Sequence, residues 1–268
     1  MARLLIAGYG FLGEALETQF LSAGWTIDKL SRSAKESCIS CDLSSADDVA
    51  KLSGQYDLII HCAASGGGGE ESYRKVYLEG VRNLLVRFPD TRIIFTSSTS
   101  VYAQADHSEV DELSLASPIT ATAKILREAE ELILNAGGVV TRLSGLYGPG
   151  RCHVLKNLLN GTSRIDGSGE RMMNFIHRDD VAEAMLLLSS NSVVSGIYNV
   201  TSEPVSQHDC YASLADHFDL PMPQSVDADL PRKRGNSSKR VSNSKLKSVG
   251  WTPVYTDFLS LALNCRLD

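Results

Sequence analysis

The sequence predicts an α/β fold with a doubly wound parallel sheet, and three observations support this prediction. Short apolar, strand-like runs alternate with longer helical patterns through the first half of the 268 residues. A glycine-rich turn follows the first apolar run, and 43% hydrophobic residues are enough to fill the core of a chain of this length. Strict alternation of strand and helix requires crossover connections, which make the strands parallel and place helices on both faces of the sheet.

The first element is an apolar strand that ends in a glycine-rich turn, "LLIAGYGFLGEAL". Gly8, Gly10 and Gly13 form a G-x-G-x-x-G pattern where the strand ends and a helix begins. Glycines there permit a tight turn, the approach of a pyrophosphate to the backbone and close packing of helix on strand, while the helix start supplies N–H donors. An ordinary glycine turn is the alternative, but the position at the start of a βαβ unit favours a dinucleotide site.

The ends of the second and third strands bear on the choice of dinucleotide. The second, "WTIDKLS", ends at Ser31 and Arg32, and its one acid, Asp28, lies in the middle. An acid at the end would bind the ribose hydroxyls of NAD, whereas a serine and an arginine suit the 2′-phosphate of NADP. We therefore predict NADP, with NAD as the alternative and a solvated loop arginine as the other interpretation of Arg32. Asp42, after the third strand "CISC", either accepts the adenine amino group or caps a helix.

The alternation continues through the strands "YDLIIHC", "RIIFTSS" and "GVVTRLS", with helices over 11–23, 46–52, 70–88 and 118–135. The last of these helices has the clearest start signal. Ser117 is expected at its N-cap and Pro118 at its first helical position. Thr120 and Lys124 then lie one turn apart on a shared face.

After "LYGPGR" the pattern becomes less regular. A strand is predicted in "MNFIH", a helix over 181–188, a strand in "GIYNV" and a mostly helical last third with polar loops. We expect residues 1–150 to form a dinucleotide-binding Rossmann domain, to which 173–201 return. Residues 151–172 and 202–268 are expected to form a small substrate-binding lobe.

Composition and charge exclude several classes of protein. The formal net charge of −6 argues against general nucleic-acid binding, which needs a concentrated positive surface. No apolar run reaches the roughly 18 residues of a membrane span, and the first residues run directly into a strand pattern instead of a signal sequence. We expect a cytoplasmic protein that contacts neither nucleic acid nor membrane.

The six cysteines are scattered, which is typical of free thiols in a reducing compartment. Cys38 and Cys41 form "CISC", but no second cysteine or histidine pair stands at zinc spacing. Buried free thiols are therefore expected and no metal site, with a redox or metal role as the alternative.

The stretches "FTSSTSVYA", "SPITATAK", "TRLSGLYGPGR", "NFIHRDDVAEAM" and "IYNVTS" resemble the extended short-chain dehydrogenases/reductases, the NAD(P)-dependent epimerase/dehydratase group. The resemblance runs in order over nearly the whole chain. It implies a serine, a tyrosine and a lysine four residues after the tyrosine as the proton-transfer residues. The matching positions are Ser98, Thr120 and Lys124, so this chain has a threonine in place of the tyrosine.

The resemblance and the glycine pattern together imply a cofactor site in which Lys124 holds the nicotinamide ribose. The end of "DLIIHCAA" is expected beside the cofactor, and Tyr77 stands where the family commonly has asparagine. The residues assigned to the cofactor are Gly8, Tyr9, Gly10, Phe11, Leu12, Gly13, Ser31, Arg32, Asp42, Leu43, Cys62, Ala63, Ala64 and Lys124.

Thr120 cannot take over the chemistry of a tyrosine. A phenol has a pKa near 10 that neighbouring positive charge can lower, whereas an aliphatic hydroxyl ionises far too weakly to act as acid or base. Thr120 and Ser98 can still orient a substrate oxygen by hydrogen bonds. Tyr102 and Tyr147 are candidate substitutes, although the family keeps tyrosines at both places for structural reasons.

Two functions remain open at this point. One is an NADP(H)-binding, epimerase/dehydratase-like oxidoreductase that acts on a small sugar, polyol or nucleotide-sugar-like substrate. The other is a non-catalytic NAD(P)-binding sensor or regulatory protein. The family often pairs helices corresponding to 70–88 and 118–135 across a homodimer, and the sequence leaves that assembly open.

Overall fold

A parallel sheet of seven strands forms the centre of the structure, a computed structural model that describes residues 1–190, 195–227, 237–256 and 258. In chain order the strands are β1 Arg3–Ala7, β2 Thr26–Ser31, β3 Ile39–Ser40, β4 Leu58–His61, β5 Arg92–Ser98, β6 Glu109–Val110, β7 Val139–Leu143, β8 Gly145–Tyr147, β9 Ile165–Asp166, β10 Met172–Met173, β11 Phe175–His177, β12 Gly196–Val200, β13 Val205–Ser206, β14 Ser225–Val226 and β15 Arg240–Val241.

The central sheet has the order β12-β7-β5-β4-β1-β2-β3, and every neighbouring pair in it is parallel. The chain moves outward from β1 to β3 and then crosses to β4 on the other side of β1. In an open sheet of this kind, ligands bind beyond the carboxyl ends of the strands where the order reverses. The predicted α/β, doubly wound fold is confirmed, and its reversal point lies between β1 and β4.

Helices cover both faces of the sheet. They are α1 Phe11–Ser22, α2 Ala46–Ala50, α3 Glu70–Tyr73, α4 Gly80–Arg87, α5 Ala121–Asn135, α6 His153–Leu159, α7 Arg178–Leu188, α8 Gln207–His217 and α9 Ser244–Ser248, with a π-helix at Arg74–Glu79 and a 3₁₀ helix at Thr99–Val101. The single helix predicted over 70–88 is therefore two α-helical pieces joined by a π-helix. Apolar periodicity does not distinguish i→i+4 from i→i+5 hydrogen bonds, which explains the difference.

Two separate apolar clusters lie on the two faces of the sheet, and successive residues of a strand belong to them in alternation. Leu5 and Ile59 belong to the cluster under α4 and α5, whereas their neighbours Leu4 and Ile60 belong to the cluster under α1 and α7. Successive strand side chains point to opposite faces, so a strand buried on both sides is apolar throughout. A third cluster, which includes Leu155 and Leu214, joins α6 to α8 beside the sheet.

The described part of the last third is mostly irregular, not mostly helical as predicted. It contains α8, the short α9 and two-residue strands, and the rest is loop. Polar residues occur both in loops and on the solvated faces of helices, so their presence alone did not distinguish the two. This stretch also returns to the main domain, because β15 pairs with β6, and Leu246 and Trp251 are buried in the cluster under α1 and α7.

Asp180 attaches this returning stretch to α7. Its two carboxylate oxygens accept hydrogen bonds from the backbone N–H groups of Val254 at 2.8 Å and Tyr255 at 3.1 Å. The sequence "HRDDVAEA" predicts that Asp179 and Asp180 cap this helix, and the prediction is wrong. The N-cap of α7 is His177, whose Nδ1 accepts from the Asp179 N–H at 3.3 Å. No helix within the described residues is long and apolar enough to cross a membrane.

Candidate functional site

The three glycines of the first turn have three different surroundings. A Cβ on Gly8 would lie 2.3 Å from the Ala63 backbone, and Gly8 has a φ of +115°. A Cβ on Gly13 would lie 3.1 Å from the Gly8 carbonyl oxygen. A Cβ on Gly10 would meet no protein atom within 4 Å. Gly8 and Gly13 are therefore needed because neighbouring protein atoms leave no room for a side chain. The space beside Gly10 is not filled by protein atoms and is open to a ligand.

Gly10 is also the N-cap of α1, and no side chain caps that helix. The first N–H groups of a helix have no partner inside the helix, and they attract anions. An uncapped helix start beside an open glycine is the arrangement that holds a pyrophosphate. The turn therefore fits the dinucleotide predicted from the sequence.

A cavity of about 1170 Å³ runs from this turn along the carboxyl edge of the sheet. Pockets for single small ligands are commonly about 300–1,000 Å³, so this volume has room for a dinucleotide and part of a second molecule. The sequence-predicted residues that line it are Gly8, Tyr9, Gly10, Phe11, Leu12, Ser31, Arg32, Asp42, Leu43, Cys62, Ala63, Ala64 and Ser98. Gly13, Thr120 and Lys124 do not line it.

One end of the cavity has the polar character expected for an adenosine group. Ser31 is buried at the end of β2, and Arg32 next to it is exposed and lines the cavity. The Asp42 Oδ1 accepts from the Ser44 N–H at 2.9 Å and from its hydroxyl at 2.8 Å. Burial raises the pKa of Asp42, but the Ser44 hydrogen bonds and the charges of Arg32 and Lys75 outweigh it and lower the pKa. Asp42 thus faces the cavity as a carboxylate.

Asp42 does not cap the helix that follows it, because the N-cap of α2 is Ser45. The Ser45 hydroxyl accepts from the Asp48 N–H at 3.2 Å. Asp28 lies in the middle of β2, as predicted, and it is occupied by Arg3 and Tyr56, each at 2.9 Å. Asp28 is therefore not available as the acid that would bind the ribose of NAD.

Lysines surround Tyr9 at the same end of the cavity. Lys29 Nζ lies 4.5 Å and Lys35 Nζ 5.5 Å from the centre of the Tyr9 ring. Lys35 also donates to the Tyr9 carbonyl at 3.1 Å, while the Tyr9 hydroxyl donates to Glu17. Lys29 is neutralised by Glu17 at 2.7 Å. Arg32 and Lys35 thus give the loop after β2 a positive character.

Ser98 ends β5 and lines the middle of the cavity. Its hydroxyl accepts from the Ser100 N–H at 3.2 Å, which caps the 3₁₀ helix, and the O–H hydrogen remains available as a donor. Its position at the carboxyl end of a central strand is where the sequence analysis expected a substrate-orienting serine.

Thr120 has the capping role at the start of α5 that the sequence analysis assigned to Ser117. Thr120 is the N-cap of α5, and its hydroxyl accepts from the Ala123 N–H at 3.3 Å. The expectation that Ser117 caps the helix and Pro118 begins it is wrong by three residues. Lys124 lies in the first turn of α5 and is exposed. Its contact with a bound ribose stays a prediction.

The two substitute tyrosines are buried away from the cavity. Tyr102 is 1% exposed and its hydroxyl donates to Asn199 Oδ1 at 2.9 Å. Tyr147 is 2% exposed and packs on Phe175 and Phe258. Neither tyrosine lines the cavity, so each serves packing.

Among the basic residues that could line a pocket for an anionic or sugar substrate, the sequence offers Arg142, Arg151 and the segment 233–245. Arg142 is buried in a salt bridge and does not line the cavity. Its Nη2 and Nε bond the Glu130 carboxylate at 2.7 and 3.0 Å. Glu130 also accepts from the Ser97 hydroxyl at 2.6 Å. Arg142 therefore ties β7 to α5. For the basic segment "KRGNSSKRVSNSK", residues 233–245, a solvated surface is the alternative to a pocket wall, and residues 233–236 lie outside the described residues.

Three basic residues line the cavity beyond the residues predicted for the cofactor. Arg151 and Lys239, the latter within the segment 233–245, are candidates from the sequence for lining a substrate pocket, whereas the sequence analysis missed Arg171. Arg171 follows the glycine turn 167–169, and Lys239 precedes β15. Lys239 is 4% exposed, and its Nζ donates to the Tyr102 carbonyl at 2.7 Å. Only its place in the basic segment indicated it. The further lining residues in this part of the cavity are Leu143, Ser144, Gly145, Leu146, His153, Met172, Met173, Asn174, Phe175 and Ser237.

The described cysteines are free thiols, as expected. Cys41, Cys152 and Cys210 are buried, and the Cys62 thiol donates to the Gly8 carbonyl at 3.2 Å. Burial raises the pKa of Cys62 to about 12, so this thiol is unreactive at neutral pH. Within the described residues no group of histidines, cysteines and acids could hold a metal ion. Cys265 lies outside them.

The chain matches known proteins in sequence and in structure. Residues 4–201 match the model of the NAD dependent epimerase/dehydratase family. The chain is 32% identical over 219 residues to Protein YeeZ of Escherichia coli strain K12, with 75% of this chain and 77% of that protein covered. It is 28% identical to a Methylobacillus flagellatus protein described as an NAD-dependent epimerase/dehydratase, with a TM-score of 0.82 over 98% of this chain and 97% of that one.

A further similar structure contains ligands. It is the UDP-glucuronic acid 4-epimerase of Bacillus cereus in complex with UDP-glucuronic acid and NAD, with a TM-score of 0.81, 17% identity and 98% of both chains covered. At that identity the likeness concerns the fold.

Proposed function

Because this chain belongs to the NAD-dependent epimerase/dehydratase family, we propose that it binds a nicotinamide dinucleotide along the carboxyl edge of its sheet, NADP(H) in preference to NAD(H). The observation that carries the proposal is the open space at Gly10, at the uncapped start of α1. The remaining cavity then continues past Ser98 to Lys239 and leaves room for a substrate.

The preference for NADP(H) rests on the residues after β2. Arg32 lines the cavity, and Lys35 lies near it on the same loop. A guanidinium binds a phosphate with two parallel hydrogen bonds, and a second cation strengthens the local positive potential. No carboxylate ends β2 to bind ribose hydroxyls, because Asp28 is occupied by Arg3 and Tyr56. NAD remains the alternative cofactor, and the B. cereus relative has NAD in its structure.

The activity that this site supports is that of an epimerase/dehydratase-like oxidoreductase on a small sugar, polyol or nucleotide-sugar-like molecule. A bound nicotinamide ring would supply the group that accepts or donates hydride. Ser98 would orient the reacting oxygen by a hydrogen bond. Arg151, Arg171 and Lys239 line the cavity, and although Asp166 pairs with Arg171 at 2.7 Å, the charges of Arg151 and Lys239 suit an anionic substrate.

A second candidate is a sensor of NADP(H) that does not transfer hydride. The observation that favours it is the placement of Thr120, the residue at the position of the family's catalytic tyrosine. Thr120 caps α5 and does not line the cavity. The two functions share the cofactor site and differ in turnover.

Titration of the four dinucleotides NADPH, NADP⁺, NADH and NAD⁺ by calorimetry tests the cofactor site. We expect wild type to bind the phosphorylated pair more tightly, and Arg32→Ala to lose about 10- to 150-fold in that affinity, because hydrogen bonds to charged groups contribute roughly 1.5–3 kcal/mol. Arg82→Ala is the matched control, since Arg82 is exposed on α4 and does not line the cavity. Equal affinity of wild type for both pairs would refute the NADP preference, and binding of neither pair would refute the function.

Absorbance of the nicotinamide then separates the enzyme from the sensor. Wild type is mixed with NADP⁺ or NAD⁺ and with UDP-glucose, UDP-glucuronic acid or sorbitol. Reduction that decreases in Ser98→Ala supports the enzyme. Tight dinucleotide binding without reduction supports the sensor.

A further inference from the structure

Lys239 is a buried lysine held in a fixed place by its neighbours. The Asn174 amide donates to the Lys239 carbonyl at 2.9 Å, and the adjacent Ser238 hydroxyl accepts from the Met172 N–H at 2.9 Å. On its other side, the Arg240 N–H donates to the Ser108 carbonyl at 2.9 Å. The backbone around Lys239 is thus attached to the cavity wall on one side and to the residue before β6 on the other, which fixes the position from which its side chain extends.

The Lys239 ammonium has no carboxylate partner among the described residues. Its Nζ donates to the Tyr102 carbonyl at 2.7 Å, which occupies one of its three hydrogens. The charged or titratable residues in the cavity wall near it include Arg151, His153 and Arg171, and Arg171 is paired with Asp166 at 2.7 Å. Next to Tyr102, Arg142 lies 4.8 Å from the ring centre, and Glu112 accepts from the N–H of Asn199, to which the Tyr102 hydroxyl donates. His107 bonds Ser238, and Glu109 and Arg240 lie on the exposed side of the β6–β15 pair. Asp42, the acid that lines the cavity, lies at its opposite end.

Burial without a counter-ion disfavours the charged form of an amine. It lowers the pKa of Lys239 from the usual 10.5 to about 8. A lysine in this range exchanges its proton near neutral pH, as a general acid or base must.

Lys239 also lies near the reacting end of the cavity. The carbonyl that it binds belongs to Tyr102, which directly follows the 3₁₀ helix that Ser98 caps. A 3₁₀ helix advances about 2 Å per residue, so Ser98 and Tyr102 are on the order of 8 Å apart along the chain. Ser98 and Lys239 both line the same cavity of about 1170 Å³.

We propose that Lys239 carries out the proton transfer for which the family uses its tyrosine, with Ser98 bound to the same substrate oxygen. The proposal rests on the oxidoreductase function proposed above. In the oxidative direction the neutral amine takes the hydroxyl proton, the O–H bond breaks and an N–H bond forms. The C–H bond breaks with its electron pair, which leaves as hydride to an oxidised nicotinamide dinucleotide, and the carbonyl forms. In the reductive direction Lys239 returns the proton to the oxygen.

The titration of the amine is the first test and needs no turnover. The protein is labelled with ¹³Cε-lysine, and its NMR signals are followed from pH 6 to 11. The Lys239 signal is identified by its absence in Lys239→Arg. We expect a midpoint near pH 8. A midpoint at the usual lysine value overturns the proposal whatever the enzyme does.

Two variants separate proton transfer from anion binding. Lys239→Arg keeps the positive charge but cannot release a proton near neutral pH, and Lys239→Met removes the charge with similar volume. Positioned acid–base catalysis contributes roughly 10²–10⁴ in rate, so we expect both variants to lose at least about 100-fold in kcat with UDP-glucose, UDP-glucuronic acid or sorbitol. Their NADP⁺ affinities and melting temperatures should stay near those of wild type. Lys245→Arg is the matched control, because Lys245 donates to the Ile197 carbonyl at 2.7 Å outside the cavity lining.

The pH dependence of turnover and the activity of Lys239→Arg decide between the proposals. Wild-type kcat/KM for oxidation should rise with pH to a plateau above about 8, and Lys239→Arg should lack this dependence. Turnover by Lys239→Arg equal to that of wild type overturns the proposal and leaves the oxidoreductase function intact. A wild type that binds dinucleotide yet oxidises none of the three probes overturns the proposal and favours the sensor. A wild type that binds no dinucleotide overturns both functions.

Discussion

At the scale of single residues, Gly8 and Gly10 differ in their surroundings, which relates Gly8 to folding and Gly10 to the proposed ligand binding. Both are glycines of one turn, two positions apart. Gly8 is pressed against Ala63 at the end of β4, whereas Gly10 faces open space at the start of α1. The packing of the protein requires a glycine at position 8, whereas the space at Gly10 is the one proposed above for the pyrophosphate.

A methyl group at each position should therefore have a different effect. Gly8→Ala places a Cβ 2.3 Å from the Ala63 backbone at a φ of +115°, and we expect a loss of about 1–3 kcal/mol or more in the free energy of unfolding. Gly10→Ala should unfold like wild type, yet it should weaken dinucleotide binding, since its methyl group takes the space of the pyrophosphate.

Urea unfolding and calorimetric titration measure the two effects. Gly24→Ala is a control for backbone strain alone, because Gly24 has a φ of +81° and no protein atom within 4 Å of its Cβ position. Unchanged dinucleotide affinity in Gly10→Ala would show that the pyrophosphate lies elsewhere.

At the scale of elements, α5 and β7 are joined by a buried salt bridge. Glu130 is 0% and Arg142 1% exposed, and Arg127 adds a second guanidinium to the same carboxylate. Removal of one partner from a buried pair leaves an uncompensated charge, which typically costs 3–5 kcal/mol. This connection lies next to the site, because the Ser97 hydroxyl also binds Glu130.

We expect Glu130→Leu to lose about 3–5 kcal/mol in the free energy of unfolding, measured by urea denaturation. The double variant Glu130→Leu/Arg142→Met should recover most of this loss, because it removes the buried charges of both partners, while Arg127 is partly exposed and keeps Glu131 at 3.4 Å. Glu128→Leu, two residues before Glu130 and on the exposed face of α5, is the control. A double variant less stable than Glu130→Leu would mean that the charges themselves are needed.

Some features of these elements could be predicted from the sequence and others could not. The strands, their parallel order and the glycine turn could be predicted, since each depends on local apolar runs and on residues needed at one place. The start of α5 could not, because Ser117, Pro118 and Thr120 all carry start signals, and tertiary packing selects Thr120. Lys239 could not be placed either, since the contact with Tyr102 joins residues 137 positions apart.

At the scale of the whole molecule, Asp180 attaches the returning stretch 237–256 to the body of the protein. Burial raises the pKa of its carboxyl from 3.8 to about 6, against the two backbone N–H donors of Val254 and Tyr255. The usual Asp case is reversed, since here the folded protein holds the proton more tightly than the unfolded chain does.

The free energy of unfolding should therefore contain a term that decreases as the pH rises from about 4 to about 6. Below this window the carboxyl is protonated in both states, and above it the carboxyl is ionised in both. Asp180→Asn should remove this term, and the difference between wild type and variant, followed by urea denaturation from pH 4 to 7, reveals it. A difference that stays constant with pH would contradict the assignment. Asp209→Asn is the control, because Asp209 is exposed on α8.

The position of Lys239 has a consequence for how the protein is made. The dinucleotide turn is complete once β4 has been synthesised, but the wall that holds Lys239 arrives near the carboxyl end. More than half of the chain separates Ser98 from Lys239, which takes roughly ten seconds or more at ordinary translation rates. During that interval a nascent chain has the glycine turn and, later, Arg151 and Arg171, but not Lys239. A ribosome that stops before Lys239 therefore releases a polypeptide that contains the turn proposed for the dinucleotide and lacks the lysine proposed for proton transfer.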